Sequence, residues 1–148
     1  MSTQRKGSVA IEQRIAVPPE TVATFVGDFR NAEQWMVGVE DIEPLGDDAY
    51  KLTIESPVGK VHPEVRVLEH SPTTVRWVYT SAVEGGGRVD IVPDANGGCR
   101  VSYEGEFHLK SGLLDRAARL VGAERFARKN GERSLFRLKH LMEAHRLG

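Results

Sequence analysis

The sequence predicts an α+β domain: a curled antiparallel sheet of about seven strands, two short helices near its start and one long C-terminal helix. Three observations carry this prediction. Apolar and polar residues alternate in segment after segment from Ser8 to Leu109, the period of half-buried strands. Short turn-forming clusters separate those segments, and links this short join antiparallel neighbours. From Leu113 to about Arg146 there is no proline, and apolar or small residues recur every third or fourth position, as on an amphipathic helix.

The elements follow in order. The first strand runs from Ser8 to Val17, with Val9, Ile11 and Ile15 on one face and Glu12 and Arg14 on the other; Gln13 falls in the apolar set. Pro18-Pro19-Glu20 opens a helix. Proline suits the first turn because its missing N–H has no partner there, and Glu20 favours the positive helix end. Val22, Phe25, Val26 and Phe29 follow at helical spacing, and a second short helix runs from Asn31 to Met36. Candidate strands are Val39–Leu45, Ala49–Ser56, Lys60–Glu69, Thr73–Ser81, Arg88–Pro93 and Cys99–Leu109.

One register fits nearly all of them. Tyr50, Leu52, Ile54, Val61, Val65, Val67, Val75, Trp77, Tyr79, Val89, Ile91, Val101, Tyr103 and Phe107 share the inner face, and charged residues occupy the other. The cover is the C-terminal segment, with Gly122 and Asn130-Gly131 as points where it can bend. Residues 111–148 carry a net charge of +5 and the remainder −6, so a basic helix covers an acidic body. One helix is too narrow to plug a broad, twisted sheet, which leaves space for packed core or for a cavity.

Composition narrows the function classes. With 148 residues, one domain accounts for the whole chain, residues 1–148. A net charge of −1 gives no whole-molecule attraction for nucleic acid or anionic membrane. The single cysteine, Cys99, excludes an intrachain disulfide and a multi-cysteine metal site. No apolar stretch approaches the roughly 20 residues of a membrane span. The first residues lead into alternating sequence and not into a signal-peptide core, so a cytoplasmic location is expected.

The local words also resemble a known family. Ile15-Ala16-Val17-Pro18-Pro19-Glu20-Thr21-Val22 resembles the strand-to-helix entry of the START-like (SRPBCC) superfamily. Trp35, Gly97 to Phe107 and Leu135 to Glu143 are similar to its second-helix exit, final strand and last-helix tail. Met36 departs from the usual proline after the tryptophan, and Cys99 from the usual threonine. Within the superfamily the chain most resembles the bacterial polyketide cyclase/dehydrase and lipid-transport group. The resemblance implies a helix-grip fold and a cavity for a hydrophobic ligand, with catalysis only in some members. That group has no universal catalytic motif to carry over.

Three functions follow as expectations. In the first, a small hydrophobic molecule, a lipid or polyketide-like compound, lies between sheet and helix. Its walls come from Phe25, Trp35, Leu52, Val65, Trp77, Ile91, Val101, Phe107, Leu114, Ala118, Val121 and Phe126, while Gln13, Tyr79 and Tyr103 orient its polar atoms. Against this stands the plainer reading that strand tyrosines are core residues whose hydroxyls reach the rim. In the second, a cyclase or dehydratase uses Tyr79 or Tyr103 to donate to an enolate oxygen, although no inward carboxylate or histidine offers itself as a base. In the third, the core is filled and the basic helix binds a protein.

No cofactor is expected, and a homodimer stays open. His62, His70 and His108 fall outward, and His140 and His145 are five apart on a helix, so no metal site is expected. The run Glu84-Gly85-Gly86-Gly87-Arg88 lacks the features of a phosphate loop and reads as a hairpin tip or a mobile lip at a pocket mouth. The basic helix face reads as solvated, or as a site for an anionic headgroup, an acidic partner or a membrane. It lacks the aromatic interleaving of a nucleic-acid surface.

Overall fold

A computed structural model describes residues 8–56, 59–109, 112, 116 and 122–147. Its centre is one curled, unclosed antiparallel sheet. The strands are β1 (Ser8–Ile15), β2 (Val39–Gly46), β3 (Ala49–Ser56), β4 (Gly59–Val61), β5 (Glu64–His70), β6 (Thr74–Tyr79), β7 (Val83–Pro93) and β8 (Cys99–Leu109). They lie side by side as β1-β8-β7-β6-β5-β3-β2, with β4 paired to β3. The inner face is the one the alternation predicts. Tyr50 stands opposite Val65, Val65 opposite Tyr79, Val67 opposite Trp77, and Val89 opposite Tyr103. Period-two patterning fixes this because a one-residue slip would turn every apolar side chain outward.

Helix α1 (Pro19–Gly27) starts with proline in its first turn and Glu20 near its positive end, and it buries Val22, Ala23 and Val26. Asp28 ends it by turning back on Arg30, accepting from the backbone N–H at 3.2 Å and from the guanidinium at 3.0 and 2.8 Å. A single 3₁₀ turn, Phe29–Asn31, leads into α2 (Ala32–Trp35), where Ala32 and Trp35 are buried. Asn31 Nδ2 donates to the Phe25 carbonyl at 3.0 Å and fixes the angle between the two helices.

The long helix α3 (Ala123–Leu147) packs chiefly on β1, with α2 and β8 as further neighbours, while α1 lies over β6 and β7. Hydrogen bonds to the first strand and to the end of α2 hold it. Val37 N–H donates to Ser134 Oγ at 2.8 Å, and Ala16 N–H donates to Glu143 Oε2 at 2.9 Å. Lys139 Nζ donates to the same carboxylate oxygen at 2.6 Å. These donors and Lys139's charge hold the Glu143 carboxyl below its ordinary value. The core under these helices is continuous, from Ile15, Val22 and Trp35 through Leu52, Val65 and Trp77 to Leu135, Leu138 and Met142.

Four expectations are corrected. The run Glu84 to Arg88 is no hairpin tip. It lies inside β7, paired throughout with β8 and from Gly86 onward with β6 as well, Gly87 standing between Trp77 of β6 and Gly105 of β8. The connection from β6 instead turns at Thr80-Ser81-Ala82, where Ala82 has φ 65°. The expected strand Lys60–Glu69 is two strands, β4 and β5, interrupted at His62-Pro63, because proline cannot donate to a ladder. The C-terminal segment is not one continuous helix, because Gly122 takes φ +80°, outside helical geometry, and α3 begins at the next residue. His70 pairs with Val75 on the inner side, at the exposed end of β5, because a bulge between Val67 and Glu69 shifts the alternation by one residue.

Candidate functional site

The inner face of β6, β7 and β8 carries the aromatic residues singled out in the sequence, and glycines decide how they lie. A Cβ on Gly87 would stand 2.2 Å from Trp77 Cζ2 and 2.5 Å from Cε2, so the indole occupies the space a side chain would need. Likewise, a Cβ on Gly105 would stand 2.4 Å from the Tyr103 oxygen. Both large rings therefore lie along the sheet, over neighbouring glycines, instead of projecting from it. On α3, Gly131 admits Ile11, whose Cδ1 lies 2.4 Å from where a Cβ would be, and it borders the Tyr103 ring at 3.6 Å.

A row of rings results. Phe29 lies 5.2 Å from Tyr50 and 5.3 Å from Trp77 between centroids, the second pair nearly edge-on, and Trp77 stacks with Tyr103 at 6.3 Å. Burial pushes the Tyr79 hydroxyl well above the ordinary phenol value, with the neighbouring Tyr103 adding to the shift. Burial alone pushes Tyr103 up to about 12. Tyr50 is raised too, by burial first and then by the charges of Asp28 and Asp48.

The predicted site residues separate by depth. Trp35, Leu52, Val65, Trp77, Ile91 and Val101 keep at most 2% of their surface and belong to the sealed core. Gln13, Phe25, Tyr79 and Tyr103 are half-buried. Gln13 shares the inner face, opposite Val101, but its amide donates to the Arg14 carbonyl at 3.2 Å. Phe126 is 36% exposed on α3. Leu114, Ala118, Val121 and the side chain of Phe107 lie outside the described residues. Trp77, Tyr79 and Tyr103 are thus brought together. Phe29 joins them although sequence reasoning assigned it only to a helix. A glycine within alternating sequence is the one signal that could have revealed Gly87 and Gly105.

The chemistry available is that of neutral hydroxyls on apolar walls. Among the described residues, the strand registers place no aspartate or glutamate on the inner face. Among the same residues no group of three His, Cys, Asp or Glu is arranged to hold a metal ion. No helix among them is long and apolar enough to cross a membrane. Cys99 is buried, and burial pushes its thiol up to about 11.

Comparison with known proteins agrees with this architecture. The chain is similar in structure to a protein from Thermus thermophilus (TM-score 0.75, 18% identity, covering 93% of this chain and 98% of that one). It is similar to a START superfamily protein from Mycobacterium smegmatis (TM-score 0.72, 16% identity, 93% and 97% covered). It also matches the di-domain ARO/CYC StfQ from the steffimycin biosynthetic pathway (TM-score 0.69, 11% identity), covering 96% of this chain and 52% of that one. No curated protein matches. The profile described as "Polyketide cyclase / dehydrase and lipid transport" matches residues 6–143. With nearly its whole length matched by that profile and its strands and helices in the START-like arrangement, the chain belongs to the polyketide cyclase/dehydrase and lipid-transport family.

Proposed function

We propose that the protein binds a small hydrophobic molecule, a lipid or polyketide-like compound, between the concave face of the sheet and α3. One observation carries this reading. Tyr79 and Tyr103 are deep enough for burial to raise their hydroxyls strongly, yet both keep accessible surface. On this reading, a side chain that is deep and yet keeps accessible surface borders the space the ligand would fill. The sealed residues beside them, Val65 and Val101, line none. Apolar walls with a few fixed polar groups are the usual form of a small-molecule site. A ligand covering about 300 Å² of apolar surface would gain roughly 7 kcal/mol before ordering costs, an upper bound equivalent to a Kd of about 10 μM. The tyrosines then orient one polar atom each.

Catalysis is the second reading, favoured by the cyclase-type fold relative and by Tyr103 as a donor. A phenol raised to about 12 keeps its proton at neutral pH and gives hydrogen bonds, but it is a poor source of base catalysis. The lack of an inner-face carboxylate on the described strands therefore favours binding. A filled-core interaction module is the third reading, and the same measurement separates it. Native mass spectrometry of gently purified protein, with uptake of an environment-sensitive dye, is the test. Retained ligand or dye uptake supports binding, and their repeated absence ends it. A Tyr103→Phe variant with unaltered turnover of a poly-β-keto substrate removes that residue from any mechanism.

A further inference from the structure

We propose that the outward face of α3 docks the protein onto an anionic lipid surface. Arg125, Lys129, Arg133, Phe136, Arg137 and His140 recur three and four residues apart and are all exposed, so they form one stripe. Gly131, Ser134, Leu135, Leu138 and Met142 form the opposite, buried side of the helix. From Arg125 to His140 the stripe is about 22 Å long at the helical rise.

Phe136 sits in the middle of it, 56% exposed, touching the His140 ring edge-on at 4.4 Å between centroids. An apolar ring left in water among cations contributes nothing to the core beneath it. At a headgroup boundary the same ring enters the acyl region while the cations meet lipid phosphates. Phe126 stands exposed at the N-terminal end of the same face.

The charges are free to act. Among the described residues, Arg125, Arg128, Lys129, Arg133 and Arg137 form no ion pair, whereas Lys139 is neutralised by Glu143. Glu132 is the described acid on the exposed face. Charge complementarity also sets the orientation. Residues 123–147 carry seven Lys and Arg against three Glu, a net of +4, and the remainder of the chain −5, so an anionic surface attracts the helix and repels the body. A nucleic acid would use the cations and leave Phe136 without a contact, so lipid is the better match. The proposal stands whatever occupies the interior, because α3 meets the sheet with its other side.

Flotation of the full chain with vesicles tests it. Phosphatidylcholine alone is compared with phosphatidylcholine containing about 30 mol % phosphatidylglycerol, at low salt and at roughly 0.3 M salt. Wild type is expected to bind the anionic vesicles at least ~10-fold better than the neutral ones, and to lose most of that binding at high salt. Phe136→Ser should weaken binding roughly 3- to 10-fold, and the pair Lys129→Glu with Arg133→Glu should abolish it. All three positions are exposed, so thermal melting and dye uptake without vesicles should stay at wild-type values. Equal binding to both vesicles, no binding to either, or tighter binding to duplex DNA at matched phosphate overturns the proposal. So does a dimer, seen by sedimentation, that the charge-reversal pair dissolves.

Discussion

Replacing Gly87 by alanine probes how the concave face is built. The added methyl would lie 2.2 Å from Trp77 Cζ2, and contact between carbons begins near 3.5 Å, so the indole must retreat by about 1.3 Å. It has nowhere soft to go. Trp77 is 2% exposed, with Phe29 edge-on at 5.3 Å and Tyr103 stacked at 6.3 Å. Overpacking of this kind costs about 1–3 kcal/mol. The substitution is therefore expected to displace the ring and to lower the midpoint of a chain this size by roughly 3–12 °C. Calorimetry and near-ultraviolet circular dichroism of the tryptophan band would report both effects. Gly27→Ala is the control, since a Cβ there meets nothing within 4 Å and its φ is not positive. In a Trp77→Leu background the Gly87 substitution should lose most of its cost. Full stability with an unchanged tryptophan signal in Gly87→Ala would refute the placement of the ring over the glycine.

Two further outcomes follow from groups around the core. Glu143→Gln should cost about 0.5–1 kcal/mol at neutral pH, by weakening the contacts to Lys139 and the Ala16 N–H. Because the folded carboxyl titrates below its ordinary 4.5, this stabilisation is complete above that value and is lost as pH falls through the depressed one. Denaturation curves of wild type and variant should therefore converge in acid, and a gap that persists there would count against the assignment. Cys99 is buried with a raised thiol, so a colourimetric thiol reagent should label native protein far more slowly than urea-unfolded protein. Equal rates would place Cys99 at the surface.

Much of the fold was legible because strand alternation and helix spacing are local. Parity placed Tyr50, Trp77, Tyr79 and Tyr103 on one face, and the register of the sheet puts them there. Parity failed where the spacing itself was interrupted. The bulge before Glu69 turned His70 to the other side, and Pro63 divided one expected strand into two. The glycine run misled more deeply. Three glycines beside a charged residue carry the chemistry of a turn, and nothing nearby in the chain shows that Gly87 lies beneath a tryptophan ten residues away.

The candidate site follows the same division. Residue order by itself determined which side chains of the regular strands face inward, where the two short helices begin, and that the C-terminal segment is basic and the rest acidic. Depth was decided only by tertiary structure, because face is set by the dihedrals of one strand while depth depends on what neighbouring elements place above it. Val65 and Val101 are sealed, while Tyr79 and Tyr103, on the same face, keep accessible surface. Phe29, contributed by the turn between the two short helices, meets Tyr50 and Trp77 only after the sheet has curled around them.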